Sequence, residues 1–116
     1  MTKLDKKQSF TWKEGKWLEG NPPLLGPMSH AWWMASSVFD GARAFSRLAP
    51  DLDRHCARLI ESGKAFQMKS PLTLDEMVTI AWDGIEKFPH DAELYIRPMM
   101  YFEEGFVTPD TDTTQF

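Results

Sequence analysis

Cysteine is almost missing from this 116-residue sequence. The single thiol, Cys56, rules out an internal disulfide and suits a reducing cytoplasm. No apolar run approaches the ~20 residues that a membrane helix needs. The opening MTKLDKKQSF has no apolar stretch of the kind a secretory signal carries. A positive excess is lacking as well: 13 Lys and Arg face 17 Asp and Glu, for a net charge of −4. Neither nucleic acid nor an anionic membrane is therefore an expected partner. Histidines are few, and His30, His55 and His90 pair at no metal-ligand spacing. Neither GxGxxG nor a P-loop occurs, which removes the glycine-cradled phosphate motifs. Ser36 and Ser37 have no nucleophile-elbow context. Internal repeats and low-complexity tracts are absent.

What is present suits one compact domain. Hydrophobic residues make up 42% and aromatics 13%, enough for a single core. The informative stretch is Leu94–Phe102, LYIRPMMYF. As a strand it sends alternate side chains to opposite faces. Leu94, Ile96, Pro98, Met100 and Phe102 form an apolar side, while Tyr95, Arg97, Met99 and Tyr101 form the other. A second strand, Ser37–Ser46, puts Val38, Asp40, Ala42 and Ala44 on one side and Phe39, Gly41, Arg43 and Phe45 on the other. Gly41 inside a strand marks a bulge or a close approach.

The remaining elements follow from period and punctuation. Phe10–Leu18 (FTWKEGKWL) reads as a hairpin around Glu14-Gly15. Asn21–Pro27 is loop, and Ser29 precedes HAWWMA as the cap of one helical turn. Residues 1–8 are expected to be loose, and Leu48–Asp51 is a turn. Asp53–Gln67 is a helix with Cys56, Leu59, Ile60, Gly63 and Phe66 on its apolar stripe. Thr73 and Glu76 form a capping box that opens a helix from Leu74 to about Phe88, with Met77, Ile80, Ala81, Gly84 and Ile85 inward. The tail Glu103–Phe116 reads as loop. The expected fold is α+β: a two-layer sandwich, an antiparallel sheet with two helices packed on one face. The other face then shows Phe39, Gly41, Arg43, Tyr95 and Arg97.

For chemistry, Cys56 on an apolar stripe reads as a buried small hydrophobe rather than a nucleophile. Lys64 is a formal Schiff-base candidate, though a solvated helix lysine is the simpler reading. Arg43, Arg58 and Arg97 come from three elements. They are either scattered surface charges or converge on a ligand with two or more anionic groups, since a guanidinium offers a planar fork to carboxylate or phosphate.

Three segments in register, MSHAWWMASSVFDGARAF, Arg58-Leu59 within DRHCARLIESGK, and YIRP, together resemble the N-terminal small domain of branched-chain aminotransferases. That family belongs to the class IV, fold-type IV pyridoxal-phosphate (PLP) enzymes. The resemblance implies a small domain over residues 9–103, with 104–116 starting an interdomain linker. It implies that Arg58 binds the cofactor phosphate. It also implies that Phe39, Gly41, Arg43, Tyr95, Arg97 and Met34 line the substrate side, with Tyr95 and Arg97 on the substrate carboxylate, and Trp33 walling the pocket or dimer seam. Amino acid and 2-oxo acid substrates, a C-terminal PLP domain in the same protein and a homodimer are implied too. Met34 stands where the family usually has tyrosine, and Ala35 where it has glycine. No lysine of this chain matches the position that carries the cofactor, so that lysine is expected outside it. Another enzyme of the same fold (a lyase, or a D-amino-acid or amine transaminase) and a non-catalytic anion-binding or protein-interaction module are the competing readings.

Overall fold

The structure, a computed structural model, describes residues 9–116. The expectation of a loose segment at 1–8 lies outside the described residues. The chain opens with a hairpin, β1 (Phe10–Lys13) and β2 (Lys16–Glu19), in which Trp12 faces Trp17. Its two-residue turn puts Glu14 at φ 52° and Gly15 at φ 81°, the positive pair that a tight hairpin twisted like its strands requires. A short helix α1 (His30–Met34) follows. Ser29 precedes it in extended conformation but makes no cap bond to it. The hydroxyl instead donates to Glu103 Oε1 at 2.7 Å and accepts from Gly26 N–H at 3.0 Å. It therefore ties the loop to Glu103 rather than capping the helix. Ala35 closes α1 at φ 55°, ψ 33°, left-handed backbone that glycine adopts freely and alanine at a cost.

Both long strands are divided. Ser37–Ser46 becomes β3 (Ser37–Phe39) and β4 (Ala42–Phe45), and Leu94–Phe102 becomes β5 (Glu93–Ile96) and β6 (Met99–Phe102). β3 pairs with β6 and β4 with β5, all antiparallel. The breaks lie opposite one another, Asp40-Gly41 against Arg97-Pro98. Proline has no N–H for the ladder, so a single bond, Asp40 N–H to the Pro98 carbonyl at 3.1 Å, spans the bend. The fold is α+β as expected, with the antiparallel structure of the described residues distributed over three small sheets.

Alternation survives the bend. Val38, Asp40, Ala42 and Ala44 are buried, whereas Phe39, Arg43 and Phe45 are exposed. Helices α2 (Leu52–Ala65) and α3 (Leu74–Ile85) cover the buried side. Leu59, Met77, Met100, Phe102 and Cys56 are its largest fully enclosed side chains. Gly63 lets α2 sit against Met100, and Gly84 lets α3 sit against the Trp17 ring. The capping box forms as expected: Glu76 N–H donates to Thr73 Oγ1 at 3.2 Å and Thr73 N–H to Glu76 Oε1 at 3.0 Å.

Three further expectations are corrected. Phe66, assigned to the α2 stripe, follows the helix as its C-terminal cap and is exposed. Tyr101 is buried rather than on the open face, because Lys13 lies over its ring and a further strand covers its edge. That strand is β7 (Thr114–Gln115), which follows a 3₁₀ turn at Thr111–Thr113 and pairs with β6. The tail is thus partly built into a sheet. Thr114 anchors it, accepting from Lys69 N–H at 3.1 Å and donating to the Thr111 carbonyl at 2.8 Å.

Candidate functional site

The side of β3, β4 and β5 away from the helices carries rings and guanidiniums. Phe39 is 58% and Tyr95 57% exposed, too open for side chains that merely fill a core. The Arg97 guanidinium lies 5.3 Å from the Tyr95 ring centroid and 5.8 Å from that of Phe39. Two aromatic faces therefore support one cation. Arg43 is the cross-strand partner of Tyr95. A Cβ at Gly41 would stand 3.1 Å from both Cε1 and the hydroxyl of Tyr95. Glycine here makes room for the tyrosine ring to lie back across the bend. Phe39, Gly41, Arg43, Tyr95 and Arg97 thus share one surface, as strand alternation requires.

Arg58 reaches the same bend from the helix side. It sits in the second turn of α2 rather than at its start. Its partner is Asp40, between Phe39 and Gly41. Nε donates to Oδ2 at 2.6 Å and Nη2 to Oδ1 at 2.9 Å. Asp40 is only 6% exposed and also takes His55 Nδ1 at 2.7 Å and Gly41 N–H at 3.0 Å on Oδ1. The Arg58 bonds foremost, then those from His55 and Gly41, hold its carboxyl at about 2 against the opposing effect of burial. An ionised carboxylate only accepts, so Nδ1 of His55 carries the hydrogen. The 3.5 Å approach of Arg58 Nη2 to that nitrogen therefore brings two donors together and is no bond.

The structure does not bring every candidate to this place. Met34 ends α1, an element anchored on β6 by His30 against Phe102. Trp33, on the same helix, stacks at a tilt on Phe106, with centroids 5.7 Å apart. Lys64 is exposed and paired with Glu61 at 3.0 Å. Cys56 is buried, and burial foremost raises its thiol to about 11, an inert thiol. Asp40 and His55 were not singled out from sequence, although one signal was available. Asp40 is the sole ionisable residue in the phase shared by Val38, Ala42 and Ala44, and a charge on a buried face needs partners.

No family model matches the chain. It is 30% identical over 101 residues to a probable branched-chain-amino-acid aminotransferase of Rickettsia conorii, covering 87% of this chain and 34% of the relative. It is 30% identical over 100 residues to the branched-chain-amino-acid aminotransferase of Escherichia coli K12, covering 83% and 32%. An aminotransferase structure from Brucella abortus, bound to the cofactor PLP, superposes with a TM-score of 0.88 at 41% identity over 92% of this chain and 39% of that one. The chain is branched-chain-aminotransferase-like. The structure of the E. coli branched-chain enzyme agrees, with a TM-score of 0.76 at 26% identity over 89% of this chain and 36% of that one. The branched-chain-aminotransferase-like fold is that of the class IV N-terminal domain. The chain spans about a third of the length of the curated relatives it matches.

Proposed function

We propose that this chain is the small domain of a PLP-dependent aminotransferase that moves an amino group between a branched-chain or apolar amino acid and 2-oxoglutarate. One observation carries the reading. A solvated face with Arg43, Tyr95 and Arg97 beside apolar Phe39 meets, at the strand bend, an arginine with unused donors. An amino acid with an apolar side chain needs its carboxylate clamped and its side chain walled. A dicarboxylate needs a second cation. A phosphate dianion needs a planar donor fork.

The donor set at Arg58 fits the phosphate of PLP. Nε and Nη2 face Asp40, and both Nη nitrogens keep hydrogens pointing away from it. When bound, PLP supplies the electron sink for the substrate α-carbon. This chain's residues hold and orient: Arg58 the phosphate, Arg43, Tyr95 and Arg97 the carboxylates, Phe39 the apolar wall. In a homodimer Met34 reaches a neighbouring subunit's pocket, and Trp33 walls the apolar pocket or the dimer seam. Three of the described lysines are held by other groups. Lys64 and Lys69 are paired with Glu61 and Asp112, and Lys13 donates to Gln115 and lies over Tyr101. We assign covalent attachment of the cofactor to the part of the relatives that this chain does not span. The names of the relatives and the PLP-bound neighbour support the aminotransferase reading.

The test is spectroscopic. The protein containing this chain, purified whole, is expected to be yellow, with an absorbance band that shifts when leucine or glutamate is added. In the same assay Arg97→Ala is expected to raise the half-saturating glutamate concentration more than that of leucine. A colourless protein indifferent to both amino acids would favour a non-catalytic anion-binding module instead.

A further inference from the structure

Asp40 holds Arg58 by one edge only. Nε and Nη2 form the side-on edge of the guanidinium, and both donate to the carboxylate. The outer fork, one hydrogen from each Nη nitrogen, meets no acceptor among the described residues, and the side chain is 67% exposed. A guanidinium is a rigid plane, so fixing one edge fixes the direction of the other. Asp40 is itself held from three sides: by the Gly41 N–H, by His55 Nδ1, and by the backbone bond to the Pro98 carbonyl.

We infer that Asp40 is a positioning residue, which holds the inner edge of Arg58 so that its outer fork presents a pre-ordered cradle to the cofactor phosphate. The inference rests on the proposed role of Arg58. Arginine has much rotamer freedom to lose on binding. Asp40 and His55 take up that ordering within the fold, before a ligand arrives, and preorganised groups bind more tightly for that reason. The carboxylate stays ionised at neutral pH, its ordinary range being displaced downward by these same bonds.

Electrostatics alone makes the opposite prediction. Asp40 is an anion close to the proposed phosphate site, and removing its charge should strengthen phosphate binding. A weakening therefore diagnoses positioning. PLP dissociation constants and the ³¹P spectrum of bound phosphate would be measured on the whole PLP-loaded protein. Arg58→Ala comes first: if PLP is held as tightly as before, the phosphate role falls, and the present inference falls with it. If Arg58→Ala weakens retention, Asp40→Asn is expected to weaken it about tenfold, the size of one charged hydrogen bond. It should also move the ³¹P resonance toward that of free PLP. An Asp40→Asn protein of lowered thermal stability but unchanged PLP affinity and ³¹P shift would reduce Asp40 to a structural role and overturn the inference while leaving Arg58's role intact.

The native protein offers a second measurement, should Asp40→Asn not fold. On adding PLP, the ¹H–¹⁵N signal of Arg58 Nε is expected to stay in place while the Nη signals move. An Nε signal that moves with them would mean that Arg58 leaves Asp40 to bind, which also overturns the inference.

Discussion

At position 40 the fold sets a protonation equilibrium. Bonds from Arg58 foremost, then from His55 and Gly41, lower the Asp40 carboxyl from 3.8 to about 2. The folded protein thus takes up this proton less readily than the unfolded chain. The resulting stabilisation is complete above the ordinary carboxylate range and is lost as pH falls through 4 toward 2. In urea titrations the unfolding midpoint of the native protein should drop more steeply between pH 4 and pH 2.5 than that of Asp40→Asn. Equal slopes would show that the carboxylate has the same proton affinity in both states. At this scale the sequence was only half legible. Alternation placed Phe39, Arg43, Tyr95 and Arg97 on one surface, because that needs only a period of two. It could not show that Gly41 yields space to the Tyr95 ring. Nor could it show that Arg58 and His55, one turn apart on a helix, converge on Asp40, since that depends on where α2 crosses β3.

Elements meet through two glycines, and the two differ in what opposes them. A Cβ on Gly63 would lie 2.6 Å from Met100 Cε, the free end of a flexible thioether. A Cβ on Gly84 would lie 2.5 Å from Cη2 of Trp17 and 3.0 Å from Cζ2, a rigid ring wedged between the hairpin and α3. Either alanine gains roughly 1 kcal/mol of helix propensity. Overpacking against a fixed group costs about 1–3 kcal/mol. Chemical denaturation should therefore find Gly63→Ala near neutral and Gly84→Ala destabilised by about 1–2 kcal/mol, with a changed tryptophan emission in the latter only. Similar losses in both would mean that Met100 is as immobile as the indole. The helices were legible because a 3.6-residue apolar stripe and the Thr73–Glu76 box are local signals. The division of both long strands was not, although Pro98 and Gly41 marked its two halves. Only the register that sets Asp40 beside Pro98 reveals that the two breaks coincide.

Across the whole molecule, the opening hairpin and the closing segment hold each other. Lys13 Nζ donates to Gln115 Oε1 at 3.0 Å and to the Phe116 carbonyl at 3.3 Å, and lies 5.0 Å above the Tyr101 ring. Trp12 meets Phe116 with centroids 5.7 Å apart. These contacts join residues about a hundred positions apart, with β6 between them, and no local pattern in a threonine-rich tail announces them. They also bear on the ring-bearing face, because β6 continues from the bend that carries Arg97 and is paired with β3 on one side and β7 on the other. Removing residues 114–116 would strip β7 from β6, uncover Tyr101 and Trp12, and leave Lys13 without its two acceptors. Loss of the half-buried Phe116 alone should cost about 1–2 kcal/mol of apolar burial. A chain ending at Thr113 is therefore expected to unfold at lower denaturant than the 116-residue chain. Amide exchange should accelerate along Met99–Phe102, and Glu93–Ile96, which β7 does not touch, should stay protected. Uniform acceleration through both strands would show that the bend at Arg97-Pro98 does not separate them into independent units and that the ring-bearing face depends on the tail.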